Sequence, residues 1–240
     1  MALMGSTGSS STKASIPRGE PKESERVMTT GGILDQLKEL RVVPVVRTSS
    51  QETASTAVEW LAEAGLRTFE ITLTTPGAFE VIEWYSRQPE LLIGAGTVLS
   101  IEDANRSIDA GARYIVSPCI VPGMPAATRE HGAPCMLGAL TPTEIVRARD
   151  EGADAVKVFP INSAGGAPHL KALKSVFPDI RLVPTGGIAV GNIRSFLDAS
   201  AEFVGVGGQL VDEKAIAGGD KTLITKAALA ALMNVEHARH

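Results

Sequence analysis

The feature that most constrains this chain is an eightfold alternation of two kinds of segment. Short apolar, β-branched runs fall at 42–47 (VVPVVR), 68–73 (TFEITL), 91–95 (LLIGA), 113–117 (RYIVS), 135–138 (CMLG), 154–159 (DAVKVF), 181–185 (RLVPT) and 202–206 (EFVGV). Apolar residues at helical spacing occupy 52–64, 77–87, 101–110, 123–131, 142–151, 168–177, 190–199 and 220–233. Strands separated by helices are predicted to pair in parallel, with both faces of the sheet covered. Eight such units are the number that closes into a (β/α)₈ TIM barrel. The rival is an open doubly wound sheet, which usually carries a GxGxxG turn after its first strand. Here that turn reads VVRTSSQ and contains no glycine. Punctuation agrees with the helices: Gly65, Gly111, Gly132 and Gly152 stand where helices should stop. Thr141, Pro142 and Glu144 supply an N-cap, a first-turn proline and the far half of a capping box. An extra helical run at 31–40 (GGILDQLKEL) precedes the first strand and is expected to close the bottom, N-terminal mouth of the barrel.

Residues 1–28 are rich in Ser, Thr, Gly, Pro and charge, too polar to offset the entropy of ordering. They read as a disordered N-terminal extension or tag, and residues 29–240 as a single barrel domain. Hydrophobic residues make up 44% of the chain but aromatics only 4%, so Val, Ile, Leu and Ala must fill the interior. A formal charge of −4 with no basic run argues against nucleic acid or an anionic membrane as partner. No apolar stretch approaches the roughly 20 residues that span a bilayer, and no secretory apolar core stands at the N-terminus. Cys119 and Cys135 lack CxxC spacing, and His131, His169, His237 and His240 lack metal-ligand spacing. The expectation is a cytoplasmic protein with a small-molecule partner and no metal.

Catalytic groups in such barrels project from the C-terminal ends of strands. Period-2 alternation assigns Phe69, Ile71 and Leu73 to the helix side and turns Thr68, Glu70 and Thr72 inward. By the same rule Val156 and Val158 face the helices, leaving Ala155, Lys157 and Phe159 inside. Glu70 and Lys157 are therefore both predicted within one small closed sheet. A buried structural ion pair is one reading. Such pairs contribute little net stability, whereas buried ionisable groups concentrate at functional sites, which favours catalysis. A lysine among apolar neighbours is desolvated, as an imine-forming amine requires. Two glycine-rich turns, VPTGGI (183–188) and VGVGG (204–208), close the last two strands. They read either as tight turns or as the phosphate cradle that barrels build from these loops. Arg47 ends the first strand, as a surface arginine or a carboxylate clamp. Thr97, Pro118 and Cys119 follow the third and fourth strands as candidate pocket lining, although Cys119 would also serve as a small hydrophobe.

The segments VVPVVR, FEITLTTPGA, IGAGTVL, YIVSP, GALTPTE, VKVFP, LVPTGGI and VGVGGQLV, in this order over about residues 30–235, resemble the 2-keto-3-deoxy-6-phosphogluconate (KDPG) / 4-hydroxy-2-oxoglutarate aldolase family. The resemblance implies a class I aldolase that cleaves a 2-keto-4-hydroxy acid to pyruvate plus an aldehyde. It makes Lys157 the Schiff-base lysine and Glu70 the acid/base acting through a water. It places Thr97, Pro118, Phe159 and Thr185 around the pyruvyl group, and Gly186, Gly187, Gly207 and Gly208 around a phosphate. It further implies a homotrimer without metal or organic cofactor. Two positions depart from the family pattern. Thr74 stands where many members have arginine, which makes Arg47 the expected carboxylate clamp, and Gln209 stands where serine often follows the glycine pair. Phosphorylated and plain substrates therefore both stay open, as does the configuration at C4. Two readings compete with the aldolase: a non-catalytic or engineered trimeric scaffold, and another phosphate-binding barrel isomerase or epimerase.

Overall fold

In the computed structural model, which describes residues 29–236, every apolar run forms a strand and every helical segment a helix. The extension read at 1–28 lies outside the described residues. Helix α1 (Thr30–Leu40) leads into β1 (Val42–Val46), α2 (Gln51–Glu63), β2 (Thr68–Thr72), α3 (Ala78–Ser86), β3 (Leu92–Gly96) and α4 (Ile101–Asp109). There follow β4 (Ile115–Val116), α5 (Met124–Arg129), β5 (Cys135–Ala139), α6 (Pro142–Asp150), β6 (Ala155–Val158) and α7 (Gly166–Val176). The chain ends with β7 (Leu182–Pro184), α8 (Ile193–Asp198), β8 (Val204–Val206), α9 (Glu213–Ala217) and α10 (Lys221–Glu236).

The eight strands pair in parallel in the order β7-β6-β5-β4-β3-β2-β1-β8. A parallel bridge between Thr185 and Gly205, and the Glu202 amide bonding the Leu182 carbonyl at 2.9 Å, join β7 to β8 and close the ring. The fold is a (β/α)₈ barrel. Its two faces bury different things. Phe69, Ile71, Ile93, Ile115, Leu137, Val156 and Val158 pack outward against the helices in the larger core. Inward residues Val43, Leu92, Val116, Met136, Ala155 and Val183 form a second cluster with Ile33, Leu34 and Leu37 of α1. Thus α1 plugs the N-terminal mouth of the barrel.

Differences from the expected elements have local causes. β4 is two residues long where 113–117 was expected, and Pro118 beyond it has no amide with which to continue the ladder. α5 stops at Arg129 rather than 131, since the amides of His131 and Gly132 turn back to Thr128 and Arg129. The short helix α9 was not anticipated. It starts where the Asp212 carboxylate accepts from the amides of Lys214 and Ala215, both at 3.0 Å. On α3, Val81 and Tyr85 are buried, whereas Trp84 is 63% exposed. The Tyr85 hydroxyl reaches the Ser55 carbonyl of α2 at 3.1 Å, and burial pushes its phenol up to about 12.

Candidate active site

Strand alternation carries polar side chains to the open end of the barrel. On β1 the inward series Val43, Val45 continues to Arg47 just beyond the strand. On β2 the register places Glu70 between Val45 and Gly94, and on β6 it places Lys157 between Gly138 and Val183. The Lys157 Nζ donates to Glu70 Oε1 at 3.0 Å, with both side chains only 5% exposed. The ammonium also lies 5.6 Å from the centroid of the Phe159 ring, within cation–π range. The two residues are 87 positions apart in sequence, so only barrel closure brings them together.

Below this pair the interior is sealed. Tyr114 is fully buried, and its hydroxyl lies 3.0 Å from Thr68 Oγ1. Thr68 Oγ1 donates to the Leu92 carbonyl at 2.8 Å, so Tyr114 must be the donor to Thr68. Burial above all, with the nearby Glu70 charge adding to it, pushes the Tyr114 phenol far above its ordinary range, against the opposing pull of the Thr68 hydrogen bond. The layer under Glu70 is thus neutral, its two hydroxyls bonded to each other.

Above the pair a cavity of about 440 Å³ opens to solvent. Arg47, Thr97, Pro118, Lys157, Phe159, Thr185 and the glycines Gly186, Gly187, Gly207 and Gly208 all line it. Every residue singled out for substrate contact therefore falls on one surface, with Glu70 reached through Lys157. Arg47 donates to Thr97 Oγ1 at 3.3 Å, and Thr97 holds a left-handed backbone at φ 56. A β-branched residue in that region is strained, and such strain gathers at ligand-binding sites. Gly186 and Gly187 have φ of 96 and 75, so their turn demands glycine. Gly207 and Gly208 are different. Neither has positive φ, and a Cβ at either would meet no atom within 4 Å. Their missing side chains leave room for a ligand to approach the backbone.

Some residues fall elsewhere. Cys119 is exposed and lines an adjoining depression, with Gly138 and Arg147, that shares Pro118 and Phe159 with the cavity. Thr74 does not line the cavity, and its hydroxyl lies 3.0 Å from that of Thr72. Sequence reasoning missed Val45, Ile188 and Val211 as lining residues. The inward series on β1 would have found Val45; nothing in the sequence distinguishes the other two from core. Gln209, noted as a departure, does line the cavity. Among the described residues, no three His, Cys, Asp or Glu gather as a metal site, and no helix is long and apolar enough to cross a membrane.

A closed parallel barrel, with a buried lysine–carboxylate pair under a cavity at its strand ends, is the architecture of a barrel enzyme. The chain belongs to the KDPG and KHG aldolase family, whose sequence model matches residues 33–227, and aldolases are lyases. It is similar to the 2-dehydro-3-deoxy-phosphogluconate aldolase of Treponema pallidum, 35% identical over 80% of this chain and 92% of that one. It is 32% identical to the KHG/KDPG aldolase of Escherichia coli, over 85% of this chain and 92% of the other. Among solved structures it matches KDPG aldolase from Legionella pneumophila, in which pyruvate is captured as a covalent carbinolamine intermediate. That match has a TM-score of 0.75 and 32% identity, covering 85% of this chain and 98% of that one.

Proposed function

We propose that the protein is a class I aldolase that cleaves a 2-keto-3-deoxy-(6-phospho)sugar acid or 4-hydroxy-2-oxoglutarate through a Schiff base on Lys157. The products are pyruvate and an aldehyde, glyceraldehyde 3-phosphate or glyoxylate. One observation carries the reading: the 3.0 Å contact between Glu70 Oε1 and the Nζ of Lys157, which lines the cavity. At that distance the ammonium can pass a proton to the carboxylate, leaving the neutral amine that attacks the keto carbon. The carbinolamine hydroxyl takes the proton back from Glu70 and leaves as water, forming the iminium. Glu70, again a carboxylate, takes the C4 hydroxyl proton through a water. The C3–C4 bond then breaks, its electron pair passes to the iminium, and the aldehyde departs. Glu70 returns the proton to C3 of the enamine, and hydrolysis frees pyruvate and Lys157. One carboxyl group serves each transfer in turn.

Arg47 and Thr97 lie where they can hold the substrate carboxylate, with Pro118, Phe159 and Thr185 around the pyruvyl carbons. The turns at Gly186–Gly187 and Gly207–Gly208 take the distal end, where backbone amides suit a phosphate. Gln209 beside them offers an amide to a hydroxyl instead. The protein works as a homotrimer on a small 2-keto acid in the cytoplasm. Turnover of Glu70→Gln tests the assignment of roles. It should still form the imine with pyruvate, though more slowly, while losing roughly 100-fold or more in cleavage rate, the usual worth of an acid/base group. An unchanged rate would remove Glu70 from its role.

A further inference from the structure

Strand β3 has glycine at two successive inward positions, Gly94 and Gly96, and a different side chain occupies the space over each. A Cβ at Gly94 would stand 2.2 Å from Tyr114 Cε2 and 2.4 Å from Cζ. A Cβ at Gly96 would stand 2.2 Å from Glu70 Oε1, 2.6 Å from Cγ and 2.7 Å from Cδ. Neither glycine is needed for its backbone, since both lie within a regular strand and neither has positive φ. What they supply is room. In the register Glu70 lies opposite Gly94, not Gly96. Its carboxylate nevertheless rests one step further toward the open mouth, over Gly96, because the Tyr114 ring already fills the place at Gly94. Side chains on strands lean along the strand, so both places are within reach of a glutamate.

We propose that Gly96 is a positioning residue for the reaction. Its bare Cα is the seat that holds the Glu70 carboxylate against Lys157, while Tyr114 over Gly94 closes the lower seat. The inference rests on the roles given above to Lys157 and Glu70. Relieving a 2.2 Å contact to the 3.4 Å of ordinary packing would displace Oε1 by roughly an ångström, and misplacement on that scale costs about 100-fold in rate.

A double-variant cycle tests this. The three nearest atoms to the added Cβ all belong to Glu70, so Glu70→Ala makes room for it. Gly96→Ala alone should still trap pyruvate on borohydride reduction, yet lose about 100-fold in turnover and shift the acid limb of its pH–rate profile. In the Glu70→Ala background the same substitution should change the residual rate by less than about twofold. Should Gly96→Ala fail to fold while the double variant folds, the clash lies with Glu70 and the proposal stands. Equal losses in both backgrounds, an unchanged rate and pH profile, or failure of both variants to fold would overturn it. If the parent protein itself does not trap pyruvate, the Lys157 assignment fails first and takes this inference with it.

Discussion

Thr97 concentrates the backbone strain of the cavity wall, and its hydroxyl is the contact that holds Arg47 across the opening. Those two facts pull stability and function in opposite directions. Thr97→Gly should relieve a left-handed conformation and stabilise the fold by roughly 1 kcal/mol, read as a rise in denaturant midpoint. The same change should loosen Arg47 and raise KM; a lower midpoint would contradict the strain. In the proposed role of Arg47 as carboxylate clamp, Arg47→Ala removes a charged hydrogen bond worth about 1.5–3 kcal/mol and should raise KM about 10- to 100-fold with a smaller effect on kcat. Steady-state kinetics with a 2-keto-4-hydroxy acid decide that, and an unchanged KM would return Arg47 to the surface. At this scale the sequence was legible where period-2 alternation set a charge against an apolar face, as at Glu70 and Lys157. It was silent on Ile188 and Val211, which look like core, and on Gly96, whose use depends on which way Glu70 leans.

Among the elements, α1 and α6 make separable contributions. Leu37 of α1 is fully buried in the cluster that plugs the bottom of the barrel, away from the cavity. Leu37→Ala should destabilise by about 2–5 kcal/mol while leaving pyruvate trapping intact in the folded fraction. Loss of trapping without loss of stability would mean that α1 reaches the site. At the start of α6, Thr141 Oγ1 accepts from the Glu144 amide, and Glu144 accepts in return from the amides of Leu140 and Thr141. Those amides, the Leu140 one foremost, hold the Glu144 carboxyl below its usual value. Its folded pKa is therefore lower than its unfolded one. The stabilisation is complete above the ordinary carboxylate range and drains away as pH falls through it. Glu144→Gln should accordingly flatten the acid side of the stability profile, and Thr141→Ala should cost about 1 kcal/mol at neutral pH, both measured by denaturant unfolding. This capping box was readable because three residue types at fixed spacing encode it. The five residues of α9 were not, since a helix of little more than one turn shows no period.

For the molecule as a whole, the barrel was written in the count of alternations, and closure through β7 and β8 is what turns two distant inward residues into a pair. What alternation could not encode is the shape of the cavity, which arises from loops whose glycines serve different ends at 186–187 and 207–208. Assembly leaves its own test: sedimentation equilibrium should return three times the 25.1 kDa chain mass, and a monomer mass would contradict the trimer. The central claim is that Lys157 forms the covalent intermediate. Incubation with pyruvate and borohydride, then intact-mass measurement and peptide mapping, tests it most directly. The expected result is one reduced pyruvyl adduct per chain, on Lys157 and absent from Lys157→Ala. A folded protein that gains no adduct, or carries it on another lysine, would contradict the account.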